Sequence, residues 1–192
     1  NGPTDDSSML QQPIVVDGQW NLIVFDTQSL IDAGIYDGEY VSYFRFDPLE
    51  AGYVLDENGE PYKDASGNWV RNSLPAGCSI DIAYIGFFHS VEAAEKYDAQ
   101  AYPSMDPVNV FKAEDISHMK GQKWIASAEL IGDYLHIGPS KSDPNWLPFA
   151  QVNGARFVAI RYRSSDATGA NTQFFMGSTG NGPKDDSSML QQ

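Results

Sequence analysis

The side chains best equipped for chemistry in this chain are flat ones. Carbohydrate recognition needs apolar faces that lie against sugar C–H surfaces, and planar polar groups that reach hydroxyls; aromatic rings with Arg, Asp, Asn and Gln supply both. Trp146, in Asp143-Pro-Asn-Trp146, reads as a loop tryptophan, and Trp69 ends a polar, turn-rich stretch. Trp124 stands near a strand start, and Tyr36, Tyr53 and Tyr62 lie in polar contexts. The ordinary reading of any one of them is a half-buried structural aromatic. Tyr43 and Arg45 alternate outward on one expected strand, and Arg161 and Arg163 on another. If those strands are neighbours, their face carries three guanidiniums and a phenol that could grip hydroxyls or a uronate. The structural alternative pairs Arg45 or Arg161 with Asp47 or Asp81, an arrangement of little net stability when exposed.

Other chemistries lack their residues. A glycosidase needs two carboxylates facing each other at roughly 5–9.5 Å, and no acidic pair is marked out here. Cys78 follows Pro-Ala-Gly, and His89, His118 and His136 share neither a ligand spacing nor a triad order. Gly177-Ser-Thr-Gly180 lacks the Lys-Ser/Thr of a phosphate loop. Asp56-Glu-Asn-Gly-Glu-Pro-Tyr-Lys-Asp64 looks like a calcium loop at first sight. An EF-hand counted from Asp56 would need Gly and Glu where Pro61 and Gly67 stand, so the stretch reads as a hairpin. The sequence thus predicts no catalytic residue, no metal ligand and no cofactor.

Charge narrows the partners. Twelve basic against twenty-six acidic side chains leave −14 on 192 residues, a surface that repels phosphate backbones and anionic membranes. Nucleic acid is excluded on that ground. Membrane insertion is excluded because no apolar run approaches the ~18 residues a spanning helix requires. A hydrophobic content of 42% suits one globular domain. The opening at Asn1, without a signal peptide, reads as a mature fragment.

The most informative pattern is a repeat. Residues 1–12 read NGPTDDSSMLQQ and residues 181–192 read NGPKDDSSMLQQ, differing only at Thr4 and Lys184. Three readings fit: one period plus an overlap from a tandem array of domains, an engineered circular permutant with a duplicated segment, or a polar linker that happens to recur. On the first two, the domain runs across the chain ends, with 115–192 as its N-terminal half and 1–102 as its C-terminal half. A proline-rich, polar seam is then expected at 103–115.

Strands dominate the expected elements that must position these residues. They are 19–26, 40–47, 79–88, 156–163 and 172–176, with shorter ones at 14–16, 125–130 and 133–137. Phe44 and Phe46 share one face, and Tyr43, Arg45 and Asp47 the other; Ile80, Ile82 and Tyr84 are expected to face together. Asn58-Gly59 and Ser66-Gly67-Asn68 make 52–71 a hairpin insertion. The single expected helix is short, near 90–97, capped by Ser90. Many short strands between Gly, Pro and Asn turns predict an all-β fold, a β-sandwich of jelly-roll type.

Asp17-Gly-Gln-Trp20, Tyr43-Phe-Arg-Phe-Asp-Pro48, Ile80-Asp-Ile-Ala-Tyr-Ile-Gly-Phe-Phe88 and Glu92-Ala-Ala-Glu95 together resemble a recurring module. It is the galactose-binding-like, carbohydrate-binding-module type of β-sandwich, often repeated in large surface proteins of anaerobic gut bacteria. The resemblance covers roughly 115–180 and 13–97. In such modules the counterparts of Gly132-Asp-Tyr134, Asp143-Pro144 and Arg161-Tyr-Arg163 precede the Gly-Gln-Trp strand; here they follow it, as opening in mid-domain would produce. The resemblance implies an extracellular or bacterial cell-surface setting and a core place for Trp20. Modules of this type often hold a structural calcium, whose position this sequence does not mark.

The expected function is a non-catalytic module that binds polysaccharide or glycan, with Trp146, Trp69, Tyr43, Arg45 and Arg161 as candidate contacts. The alternative is a structural or adhesive repeat whose neighbouring copies join head to tail. Met9 and Leu10 of one segment, and Met189 and Leu190 of the other, would then exchange as strands.

Overall fold

A computed structural model describes residues 9–97, 107–119, 121–141, 144–146 and 152–178. In chain order the first elements are β1 (Met9–Pro13), β2 (Asn21–Asp26), α1 (Gln28–Asp32), β3 (Tyr40–Val41), β4 (Tyr43–Ala51) and β5 (Ile80–Phe88). There follow α2 (Val91–Lys96), β6 (Asn109–Lys112), α3 (Ala113–Ser117), β7 (Gln122–Lys123), β8 (Ile125–Ile131) and β9 (Tyr134–Pro139). The last are β10 (Asn145–Trp146), β11 (Val152–Asn153), β12 (Phe157–Arg163) and β13 (Ala170–Gly177).

These strands form an all-β sandwich. One sheet has the order β1-β13-β4-β10-β7; the other runs β2-β12-β5-β9-β8, with β6 also on β5, and β3 pairs with β11 separately. Every pairing among the described strands is antiparallel. Alternation explains the core: Phe44, Phe46, Phe174 and Met176 of the first sheet meet Ile23, Phe25, Ile82, Phe87, Val158 and Ile160 of the second. Phe44 stacks on Phe174 with centroids 5.2 Å apart, and Phe25 reaches Phe174 from the opposite sheet at 6.3 Å. The late strands are interleaved with the early ones, β12 between β2 and β5, and β13 between β1 and β4.

Two features depart from simple alternation. On β5, Arg161 pairs with Tyr84 while the next residue, Tyr162, pairs with Ile82, so Ala83 is an extra residue. This bulge inverts the strand. Ile80 and Ile82 enter the main core as expected, but so do Ile85 and Phe87, whereas Tyr84 turns to the opposite face. There Tyr84, Phe88 and Ala159 are covered by Ala94 of α2 and by Tyr97. The second feature is Trp124, with φ of 56°, the left-handed region that side chains other than glycine rarely enter. It joins β7 of one sheet to β8 of the other, so the chain changes layers at this residue.

Helix is slightly more abundant than expected. The expected helix at 90–97 is α2, whose N-cap Ser90 accepts the amide of Ala93. The single turns α1 and α3 add to it; α1 buries Leu30, and α3 buries Ala113 and Ile116. Residues 14–16 are not a strand; pairing stops at Pro13. Of the 103–115 stretch, residues 107–115 are described, and 109–112 is a strand paired with β5.

Candidate functional site

The insertion that follows β4 is built from two copies of one small device. Asp56 Oδ1 accepts the amides of Asn58 and Glu60, and Asp64 Oδ1 those of Ser66 and Asn68. Gly59 and Gly67, each with φ of 82°, supply the left-handed residue that each turn demands. These bonds favour the charged carboxylates: the amide of Glu60 above all holds Asp56 below an aspartate's usual range, and that of Asn68 does the same for Asp64. Both carboxylates are engaged in turns, as the hairpin reading expects. Between the turns, Val54 donates to Val70, Val70 to Tyr62, and Tyr62 to Val54, closing a ring of three extended segments joined by isolated bridges.

This ring holds up an aromatic ledge. Trp69 keeps 52% of its surface exposed, and its ring lies 5.8 Å from that of Tyr53. Lys63 places its ammonium 4.0 Å from the Trp69 centroid, and Arg71 places its guanidinium 4.6 Å from that of Tyr53. Arg71 also forms an ion pair with Glu50, a carboxylate only 1% exposed at the end of β4.

Arg71 is the hinge between ledge and cleft. It lines a depression of about 520 Å³ together with Asn72, Ser73 and Leu74 on one side and Pro139, Ser140 and Lys141 on the other. Cys78 lies in its wall, where burial pushes the thiol pKa up and keeps it protonated. The Ser140 amide donates to the Trp124 carbonyl at 2.7 Å. Lys141 stands 5.1 Å from the Trp124 centroid. Arg71 therefore links the cleft to Tyr53 and its neighbour Trp69, and Lys141 links it to Trp124. The amide, hydroxyl and guanidinium groups of the cleft suit a polyhydroxylated ligand.

The other expected contacts are dispersed. Tyr43 and Arg45 lie on β4, Arg161 and Arg163 on β12, and these strands belong to opposite sheets, so the shared arginine face does not form. Arg45 is 7% exposed, donates from Nε to Asp47 at 2.7 Å, and covers Phe175 at 4.6 Å. Arg163 takes Asp81 through both Nε and Nη2, with His136 Nδ1 on the other carboxylate oxygen. Arg163 is also held between Trp20 and Tyr134, so Trp20 is a half-buried partner of an arginine and lies outside the main core. Arg161 stands opposite Tyr84. The backbone of Trp146 pairs with Phe46 and Gln122, which places it on a strand and not in a loop. Met9 and Leu10 lie on the edge strand β1; Met189 and Leu190 fall outside the described residues.

Sequence reasoning missed Arg71, Asn72, Glu50 and Lys141. The arrangement joins positions from about 50 to 141, and only the sheet pairing brings them together. Among the described residues no group of three or more His, Cys, Asp or Glu side chains could hold a metal ion. The chain matches no protein-family model, no curated protein and no solved structure.

Proposed function

We propose that this chain is a non-catalytic carbohydrate-binding module of an extracellular or bacterial cell-surface protein, and that it holds a polysaccharide or glycan at the ledge and cleft of the hairpin end. One observation carries the reading: half-exposed Trp69 touches Tyr53, and Arg71 runs from Tyr53 into the cleft. A sugar ring would lie on Trp69, releasing water from both apolar faces, while its neighbours' hydroxyls meet Arg71, Asn72, Ser73 and Ser140. The resemblance to galactose-binding-like modules supports the same reading. Affinity at one shallow site is weak, and repetition in a larger protein would raise it by linking many sites.

The test is a glycan array, with hits confirmed by calorimetry, on the native chain and on Trp69→Ala and Arg71→Lys. Trp69→Ala should abolish the hit without lowering the melting temperature. Binding that survives in Trp69→Ala would move the site elsewhere, with Trp146→Ala and Arg161→Ala next to be measured. No hit on any polysaccharide or glycan would end the proposal.

A second reading, a structural or adhesive repeat joined to neighbouring copies by strand exchange, draws support from one observation. Met9 and Leu10 of the repeated segment lie on an edge strand of a sheet. Edges are where added strands pair.

A further inference from the structure

We propose that the glycan held at the ledge and cleft is an acidic one, bearing a carboxylate or a sulfate ester, and that Lys63 and Lys141 select it. This rests on the carbohydrate reading of the site and narrows it. Acidic side chains outnumber basic ones by 26 to 12 in the whole chain. Yet the described residues that line the depression include two cations, Arg71 and Lys141, and no carboxylate. Lys63 and Lys123 stand on the adjoining rings, at 4.0 Å from the Trp69 centroid and 4.7 Å from that of Trp124. Four of the twelve basic side chains thus gather around the ledge and cleft.

The acids that come near are already engaged. Glu50 is the partner of Arg71, so that guanidinium brings no surplus charge to the cleft. Asp166, whose charge is felt by the Cys78 thiol in the wall, accepts the Ser79 amide at 2.9 Å. Asp56 and Asp64 accept amides within the two turns of the insertion, and Glu57 and Glu60 lie in the first turn, beyond the bridge of Leu55 to Pro61. Lys63 and Lys141, by contrast, are exposed and form no ion pair among the described residues. Each rests on an aromatic ring, where an exposed cation is held only weakly.

The placement of Lys63 disfavours a neutral sugar. Its ammonium occupies a face of Trp69, so a sugar ring that lies on that face must first displace it. A neutral ring does not replace the lost cation–π contact. An acidic ring offers the displaced ammonium an anion, so the movement that bares the indole also supplies the counter-charge. Lys141 repeats the arrangement at 5.1 Å from the Trp124 centroid. An ammonium is a compact charge without the fork of a guanidinium, so carboxylate and sulfate oxygens both suit it. A cleft lined by one sign of charge concentrates the opposite ion, and at physiological salt the acids more than roughly 8 Å away are largely screened.

The test is an array of neutral, uronate-bearing and sulfated glycans. Calorimetry then compares each acidic hit with its uncharged counterpart, the methyl ester of a uronate or the desulfated form of a sulfated sugar. The native chain should bind the acidic form at least roughly tenfold more tightly, and the class that gives hits names the anion. Lys63→Gln and Lys141→Gln alter exposed side chains and should leave the fold intact. Each should weaken the acidic ligand roughly three- to fivefold and leave the uncharged counterpart bound no more weakly. Lys96→Gln removes an ammonium that pairs with Glu92 on α2, and it should change nothing. Neutral glycans bound as tightly as acidic ones, with Trp69→Ala abolishing both, would overturn this proposal and leave the carbohydrate reading standing. An acidic preference that survives in the double Lys63→Gln, Lys141→Gln variant, or falls equally in Lys96→Gln, would overturn it too. The absence of any hit would end the carbohydrate reading and this proposal with it.

Discussion

Arg71 is the counter-charge of Glu50, and it reaches that buried carboxylate from the wall of the cleft. The same side chain therefore serves stability and the proposed site. Arg71→Ala should cost about 3 kcal/mol, because it leaves a buried carboxylate uncompensated. Adding Glu50→Gln to Arg71→Ala should restore most of that loss, by removing the stranded charge. Chemical denaturation of the two single variants and the double variant measures the coupling; strictly additive effects would mean that the pair does not interact.

Acid should loosen the hairpin insertion before it unfolds the sandwich. Asp56 and Asp64 have folded pKa values below their unfolded ones, so their contribution is complete above the ordinary aspartate range and is lost as pH falls through the depressed folded values. Between pH 5 and 8 the turns should not change. An NMR titration should show the amides of Asn58, Glu60, Ser66 and Asn68 moving together below an aspartate's usual pKa. Movement centred at or above that value would contradict the turn bonds.

Trp124 offers a backbone test free of side-chain loss. Both Trp124→Ala and Trp124→Gly remove the ring, but only glycine enters the left-handed region without steric cost. Trp124→Gly should be more stable than Trp124→Ala by about 1 kcal/mol. Equal melting temperatures would show that the corner is not left-handed.

Gly154 is the tightest point beside β11. A Cβ there would run into the Tyr36 hydroxyl and the side chain of Val41, and Tyr36 donates to the Ala155 carbonyl at 3.1 Å. Gly154→Ala should therefore lower stability by about 1–3 kcal/mol through overpacking. A change within 0.5 kcal/mol, the range of neutral surface substitutions, would mean that the loop yields freely.

What the sequence disclosed and what it withheld follow from the range of the forces involved. Alternation in 43–47 and turn chemistry at Asn58-Gly59 are local: Phe44 and Phe46 enter the core as expected, and the turn forms. Tyr43, Arg45 and Asp47, expected to face outward, are buried as well. Asp47 does take Arg45, yet Asp81 takes Arg163 instead of Arg161, because the register across β5 and β12 decides which arginine stands opposite. The bulge at Ala83 has no local mark, so the turning of Tyr84 away from Ile82 could not be read from periodicity. Trp69 is a candidate contact from sequence because it ends a polar, turn-rich stretch, but its packing on Tyr53 and under Lys63 was not legible. Nor was the cleft beside it: Arg71 and Lys141 meet only because β4, β5 and β9 assemble as they do.

The interleaving of β12 and β13 bears on how the molecule is made. Both central seats stay empty until the ribosome has delivered residues up to about 177, so β2 and β5, like β1 and β4, must wait without their mutual neighbour. Folding during synthesis can bring this sandwich no further than open half-sheets, and a nascent chain stalled short of β12 should present two bare ladders to whatever chaperone or neighbouring polypeptide is at hand.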